Sequence, residues 1–357
     1  MLNKNTFYQL FYRRWTAGPA APAPGYSVFL PVPSDLPVFL AIALDVTARQ
    51  SARHRRETLV IPDHPTAAFR ADFQRATAAW SAGPIRLVEH APLGRFLTKR
   101  INNPGLKHWM QLCTGINACG TTHALLHDAD LFLADPDFMD SHYESCRDMA
   151  AVCLGADDVW DKWYAQQNIR HLVATWEAML DVAWVRSFQP WRHRGHDDRL
   201  NGQPHMFDTL LLAQCLTDPA KIAKRNCLDT FIHFNYVIST YRWFQRSRAP
   251  FEDQHFRLLL IRLLTDAYAA PETPGELPGM PGLLAGIGNP SARVSYAADL
   301  TAAHYPEFRG KMRRLLNSPA LSAERAAHIA AALAPFDQAF ARHAESDAGL
   351  PTGISRA

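Results

Sequence analysis

At 357 residues, with 37 Lys/Arg against 34 Asp/Glu, the chain has room for a large core domain with an appendage, and its formal charge is only +3. That charge is too small to argue for a nucleic-acid partner. The hydrophobic (48%), aromatic (11%) and charged (20%) shares are those of a soluble globular protein. The six cysteines, at 113, 119, 146, 153, 215 and 227, form no CxxC pair, so they read as reduced, buried thiols of a cytosolic protein and not as a disulfide frame or zinc site.

The first fifteen residues, MLNKNTFYQLFYRRW, place Lys4 ahead of any apolar core, which is not the pattern of a signal peptide. Their aromatics (Phe7, Tyr8, Phe11, Tyr12, Trp15) interleave with Arg13 and Arg14. A short arm of this kind is expected to pack on the body; peripheral contact with a membrane surface is the alternative. A Pro/Ala linker completes residues 1–25. YSVFLPV is then a first strand, ending near Pro31, and Ser34 or Asp35 can cap the apolar helix that follows. That helix contains the best apolar run, LPVFLAIAL, which Asp45 closes well short of a membrane span.

ETLVIPD is a second strand, and Pro65 is positioned to open the helix TAAFRADFQRATAAW. IRLVEH is a third strand, helices follow in PLGRFLTKR and HWMQLCTGINAC, and THALLHDADLF is a fourth strand. Such alternation predicts a mostly parallel α/β sheet flanked by helices. Ligands of such sheets bind beyond the carboxyl ends of the strands, where Asp63, Asp128 and Asp130 converge.

Beyond residue 136 the pattern loosens. MAAVCLGAD reads as a strand, HLVATWEAMLDVAWVRSF as strand or helix with Trp176 and Trp184, and 191–204 as a polar loop holding His193, His196, Asp197 and Asp198. The helix FDTLLLAQCL, the strand CLDTFIHFNYVI and the helix FEDQHFRLLLIRLLTDAYAA follow. After a Pro/Gly segment, SAERAAHIAAALAPFDQAFARHAE is an amphipathic helix suited to docking or to forming a homo-oligomer. The expected division is an arm (1–25), a catalytic domain (26–270, with halves 26–135 and 136–270) and a helical tail (271–357).

Two aspartates one residue apart at a strand end can reach one ion when the chain turns there. Their hard oxygens suit Mg²⁺ or Mn²⁺, whose shells are completed by phosphates and water. The plainer account is a carboxylate pair capping a turn with no ion. An EF-hand is excluded, because Leu133 and Met139 stand where the loop needs glycine and glutamate. A phosphatase attacking through its first aspartate would want that motif on its first strand.

The stretch NNPGLKHWMQLCTGINACGTTHALLHDADLF resembles the segment leading into the DxD motif of GT-A fold glycosyltransferases, especially their large inverting family. Asn103, Gly105, Gly115, Ala118 and Gly120 stand at that family's Asn/Gly and small-residue positions, and the resemblance covers residues 26–135. It implies a Rossmann-type GT-A sheet and a metal-dependent hexosyltransferase of the kind used in polysaccharide synthesis. Such an enzyme moves a sugar from a nucleotide-diphosphate donor to a hydroxyl on a glycan, lipid or small molecule. By the same resemblance Asp63 contacts the base or ribose, Asp128 the ribose side, Asp130 the Mn²⁺ or Mg²⁺, and Lys107 or Arg100 the base or diphosphate. Pro31 joins this donor set. The chain departs from the pattern at PDHP after strand two, where the family has a longer acidic, serine-rich stretch.

PFEDQHFRLLLIRL resembles the inverting family's acidic motif, which would make Glu252 or Asp253 the base that deprotonates the acceptor. As a plain helix start, the two charges would favour the dipole. Asp208, followed by His233, looks instead like retaining GT-A enzymes, in which such a histidine completes the metal site; a core histidine is the alternative. Trp176 and Trp184 could stack on a sugar or fill the core. The other functions weighed are a nucleotidyltransferase or phosphohydrolase on a related sheet, and a GT-A-fold binding protein without turnover. LPVPSDLP offers the first of these no glycine-rich basic phosphate loop.

Overall fold

The structure is a computed structural model and describes residues 4–101, 103–247, 255–272, 277–296 and 304–348. It forms two compact units: one takes the chain up to Ser34 and Ala43–Phe231, the other Asp35–Ile42 and the chain from Ile232.

The first unit is built on a seven-stranded sheet in the order β10-β6-β7-β4-β1-β2-β3. Its strands are β1 (Ala23–Val32), β2 (Arg55–Pro62), β3 (Ile85–Leu87), β4 (Thr121–His127), β6 (Cys153–Ala156), β7 (Glu177–Asp181) and β10 (Ile222–Arg225). Every ladder is parallel except those of β7, which runs antiparallel to both β4 and β6. The carboxyl ends of β1, β2, β4 and β6 therefore share one edge, and β7 starts there. The fold is thus the mixed, mostly parallel α/β sheet that the alternation predicts.

The helices of this unit are α1 (Lys4–Phe11), α2 (Pro37–Ala48), α3 (Ala67–Thr77), α4 (Pro92–Arg100), α5 (Pro104–Ala118), α6 (Phe138–Asp148), α7 (Lys162–Gln166), α8 (Val182–Ser187) and α9 (Leu211–Cys215). The first half of α2 is grouped with the second unit. Thr66, not Pro65, starts α3: its side-chain oxygen accepts the Phe69 N–H, the standard way to satisfy a first-turn donor. Asn103 does the same for α5 through the Leu106 N–H.

One face of the sheet (Phe29, Leu59, Ile61, Ala124, Leu126) packs on Leu112 and Ile116 of α5 and on Val182 and Val185 of α8. Gly115 makes the α5 contact possible, since a Cβ there would lie 2.7 Å from Phe29 and 2.8 Å from Ile61. Gly115→Ala therefore forces the helix off the sheet. We expect a loss of about 1–3 kcal/mol, measured as a drop in denaturant midpoint at unchanged slope.

On the other face lies α6, whose Asp140 is fully buried. Its carboxylate accepts from Tyr26 O–H (2.9 Å), Ser51 O–H (2.6 Å), Arg53 N–H (2.9 Å) and His54 N–H (3.2 Å). An acid in a helix reads from sequence as a solvated charge; here it joins α6 to β1 and to the turn before β2. Beside it, His127 and Glu177 are register partners on β4 and β7, with Nδ1 and Oε2 2.6 Å apart and both side chains buried.

Three features differ from the sequence reading. The fourth strand is not continuous: it stops at His127, turns, and resumes as β5 (Leu131–Leu133), which pairs with β11 (Phe231–His233). The long strand expected at CLDTFIHFNYVI shrinks to those three residues, and helix resumes at Val237. The polar loop at 191–204 contains most of a hairpin, β8 (His196–Leu200) and β9 (Gln203–Phe207). Asn201 (φ 52°) and Gly202 (φ 80°) are both left-handed in its two-residue turn, the conformation that an Asn-Gly pair favours.

The second unit is helical: α10 (Val237–Ser247), α11 (His255–Ala267), α12 (Met280–Leu284), α13 (Tyr305–Leu316) and α14 (Ala323–Ala348). Phe256 is at its centre, stacked on Phe308 at 5.2 Å and edge-on to Phe340 at 5.7 Å. The apolar stripe of α14 (Ile329, Leu333, Phe336, Phe340) is buried. The chain's own helices thus cover the face that sequence offers for docking or oligomerisation.

The N-terminal arm packs on the first unit. Tyr8 and Tyr12 lie 5.7 and 4.5 Å from Trp109, and Trp15 Nε1–H donates to the Phe188 carbonyl at 2.7 Å. All six cysteines are free thiols, five of them buried. No described helix is long and apolar enough to cross a membrane.

Candidate active site

The site begins where β4 stops. The Asp128 carbonyl accepts the Leu131 N–H at 3.2 Å, closing a tight turn, and the Asp128 N–H donates to the Trp176 carbonyl at 3.0 Å. This turn ends β4 and brings both aspartates to the same space at the sheet edge. The chain then enters β5, where the Ala134 N–H bonds the Thr230 carbonyl at 2.8 Å and aligns the approach to β11. His233 is the last residue of β11. One ligand atom from each of Asp128, Asp130 and His233 lies within 4.8 Å of the others.

Two carboxylate oxygens and one imidazole nitrogen make a donor set that suits Mn²⁺ or Mg²⁺ and leaves positions for phosphate oxygens and water. Asp130 is nearly buried, while Asp128 and His233 are half-buried. The backbone is strained just past the cluster, where Asn235 (φ 50°) and Tyr236 (φ 59°) are consecutive left-handed residues.

Sequence reasoning missed His108. It projects from α5, and its Nε2 lies 3.2 Å from Asp128 Oδ1. Burial disfavours its charged form, yet Asp128, Asp208 and Asp130 outweigh burial and raise its pKa above the ordinary imidazole value. The same attraction places Asp208 within electrostatic reach of the DxD turn. Asp208 is exposed and precedes Leu210, a buried residue with φ 68°. A left-handed leucine costs on the order of 1–3 kcal/mol and persists only where surroundings enforce it; here its N–H bonds the His193 carbonyl at 3.0 Å.

Asp63 lies at the end of β2, on the same edge. Oδ1 accepts the Ser34 N–H at 2.9 Å and the His64 N–H at 2.7 Å, while Oδ2 sits 3.3 Å from Lys107 Nζ. Gln111 bridges the strand ends here, donating to the Val32 and Ile61 carbonyls at 3.1 and 2.5 Å. Nearby, burial pushes the His90 pKa down to about 4, against the opposing pull of Asp63. Asp63 and Lys107 thus form a built pair on one helix–strand junction.

The other sequence candidates scatter. Pro31 is a buried strand residue in register with Ile61. Arg100 is exposed and stacks its guanidinium 3.7 Å from the Phe96 ring centroid, away from the Asp63–Lys107 pair in its contacts. Trp176 packs edge-on against Phe231 at 4.8 Å, and Trp184 is buried, its Nε1–H on Thr217 Oγ1 at 2.9 Å. His193 is buried and bonded to the Val185 carbonyl, and Asp198 pairs with Arg192. Glu252 and Asp253 lie outside the described residues.

Neither a scan of protein-family models nor a search of curated proteins finds a match. Among solved structures, the chain is similar to the mannosyltransferase PcManGT from Pyrobaculum calidifontis in complex with GDP-Man and Mn²⁺. The identity is 13% and the TM-score 0.43, over 95% of this chain and 91% of that one. It is similar to glucosyl-3-phosphoglycerate synthase from Mycobacterium tuberculosis in complex with phosphoglyceric acid at 13% identity and TM-score 0.42, over 73% and 88%. To S. aureus TarS 1-349 the values are 10% and 0.38, over 91% of each chain. At such identities and scores these likenesses carry no argument about chemistry; the functional reading rests on the residues of the site.

Proposed function

We propose that the protein is a metal-dependent glycosyltransferase that moves a hexose from a nucleotide-diphosphate donor to a hydroxyl acceptor. The observation that carries this reading is the Asp128–Asp130–His233 cluster at the carboxyl edge of a mostly parallel sheet. Asp128, Asp130 and His233 would hold Mn²⁺ or Mg²⁺. A divalent ion bound there supplies positive charge against the diphosphate as it leaves.

The chain's own groups have separable tasks. The turn at Asp128–Leu131 aims both carboxylates, and His108 fixes the outer one. Asp63 is the donor's base or ribose contact and Lys107 its base or diphosphate contact, on residues 26–135, and residues 136–270 contribute the acceptor half. Asp208, an exposed carboxylate whose charge is felt at His108, is the proposed base for the acceptor's proton. Glu252 and Asp253 are the alternative base. The free, buried thiols fit a cytoplasmic setting.

The test is calorimetric titration of Mn²⁺, Mg²⁺ and a panel of UDP- and GDP-sugars, with release of nucleoside diphosphate followed in parallel. Donor binding that requires the metal, with slow hydrolysis of the bound sugar, is expected. Metal-dependent binding without any release points to the binding protein that lacks turnover, and absence of metal-dependent binding removes the reading altogether.

A further inference from the structure

No Asp or Glu occurs in residues 1–34 or 90–127, yet these segments carry seven Lys/Arg in a chain whose net charge is only +3. The fold brings the relevant parts together. Phe7 and Tyr12, from the N-terminal arm, and Leu97 and Ile101, from α4 and its cap, pack against one cluster around Tyr8, Trp109, Met110 and Cys113. The two helices therefore lie on the same patch of the first unit.

Their outward faces are apolar where solubility alone would make them polar. Leu10 (52% exposed) and Phe11 (55%) stand on α1, and Leu93 (38%) and Phe96 (52%) on α4. Of the eleven large hydrophobic residues exposed among the described residues, these two short helices hold four. Phe11 is reinforced by Phe7 at 4.6 Å, and Phe96 by the Arg100 guanidinium at 3.7 Å. Arg13 and Arg14 lie just past α1, and Arg95, Lys99 and Arg100 are on α4; all five are exposed. Glu89, beside α4, is engaged by cations, bonded to Arg70 at 2.6 Å and 3.8 Å from Arg95.

Aromatic and leucine side chains backed by cations, with no acid among them, match a surface that is apolar a few ångströms down and negative at the top. We infer that α1 and α4 together form a docking surface for a bilayer containing anionic phospholipid. Leu10, Phe11, Leu93 and Phe96 enter the headgroup region, and the five cations engage lipid phosphates. A membrane-surface role for the arm alone would leave α4 unexplained; the shared cluster makes the two helices one surface. Docking needs neither donor nor metal, so this inference stands or falls separately from the proposed transfer reaction.

The test is co-sedimentation of the full chain with vesicles of phosphatidylcholine alone and of phosphatidylcholine with 30% phosphatidylglycerol, from low to high salt. Binding is expected to the anionic vesicles, to weaken with salt, and to be slight on the neutral ones. Arg13→Gln, Arg14→Gln and Lys99→Gln combined should lower partitioning at least about tenfold. Phe11→Ser with Phe96→Ser should lower it about as much while leaving every charge in place. All five positions are exposed, so thermal midpoints should hold, and the charge variant probes the surface without altering any apolar contact. Equal binding to neutral and anionic vesicles, or variants that bind like the wild type, overturns the inference. So does concentration-dependent dimerisation that Phe11→Ser and Phe96→Ser abolish in a protein that ignores vesicles, which would assign the patch to a second copy.

Discussion

Asp130→Ala is expected to reduce metal-dependent turnover of a nucleotide sugar by about 10²–10³-fold, the usual consequence of deleting one preorganised partner of a developing charge. Asp130 is the most buried of the three cluster residues and sits within the turn that closes at Leu131, so its oxygen has the least freedom to be replaced by water. Mn²⁺ affinity, read by calorimetry without donor, should fall with activity, because both depend on the same carboxylate. The fold should survive, since the change falls in a turn and removes no apolar contact. His233→Gln keeps a neutral donor at that position, and a loss of about 10–100-fold is expected there. If Asp130→Ala bound metal and donor as wild type does, the DxD assignment would be wrong even if the protein proved to be a transferase.

Asp140→Asn should be the most destabilising polar substitution in the first unit, costing about 3–5 kcal/mol. The fully buried carboxylate accepts from two hydroxyls and two backbone N–H groups, and Arg53 Nε lies 3.5 Å away. An asparagine amide would turn a hydrogen-bond donor toward groups that are themselves donors. Burial alone would raise the Asp140 pKa, but the bonds from Ser51, Arg53, Tyr26 and His54 prevail and hold it below the ordinary carboxylate value. A depressed folded pKa stabilises fully above the unfolded value, near 4, and that contribution is lost as pH falls through the folded pKa. Urea midpoints measured from about pH 6 down to pH 2 should therefore drop more steeply for the wild type than for Asp140→Asn. Parallel slopes for the two would show that the carboxylate is not the group being titrated.

The strands that sequence reveals most fully are the long apolar ones, β1, β2 and β4, whose side chains are buried on both faces and so form continuous hydrophobic runs; IRLVEH and MAAVCLGAD also mark the short strands β3 and β6. β10 escapes because IAKR is four residues with two charges, and β7 because WEAMLDVAW serves strand and helix equally well. The aspartate pair is legible in Asp128 and Asp130 because a charge at the end of a buried run is expensive unless it has a purpose. His108 is not: it belongs to the solvent side of an amphipathic helix until the sheet edge is placed beside it. Asp140 fails for the opposite reason, since a helix acid looks solvated until Tyr26 and the Ser51–His54 turn close over it.

The antiparallel insertion of β7 has a consequence for the order in which the molecule can be assembled. β1 and β2 meet across one short connection, but β4 must reach back about a hundred residues to lie beside β1, and β7 must then turn around to lie beside β4. Contacts this far apart in sequence are slow to find and close late. A chain growing from the ribosome can complete β1 and β2 early, yet it has no His233 to offer Asp128 and Asp130 until two-thirds of it has been synthesised. Nascent chains stopped before β11 should carry much of the sheet and none of the completed metal cluster, which would make metal binding a late signal of maturation.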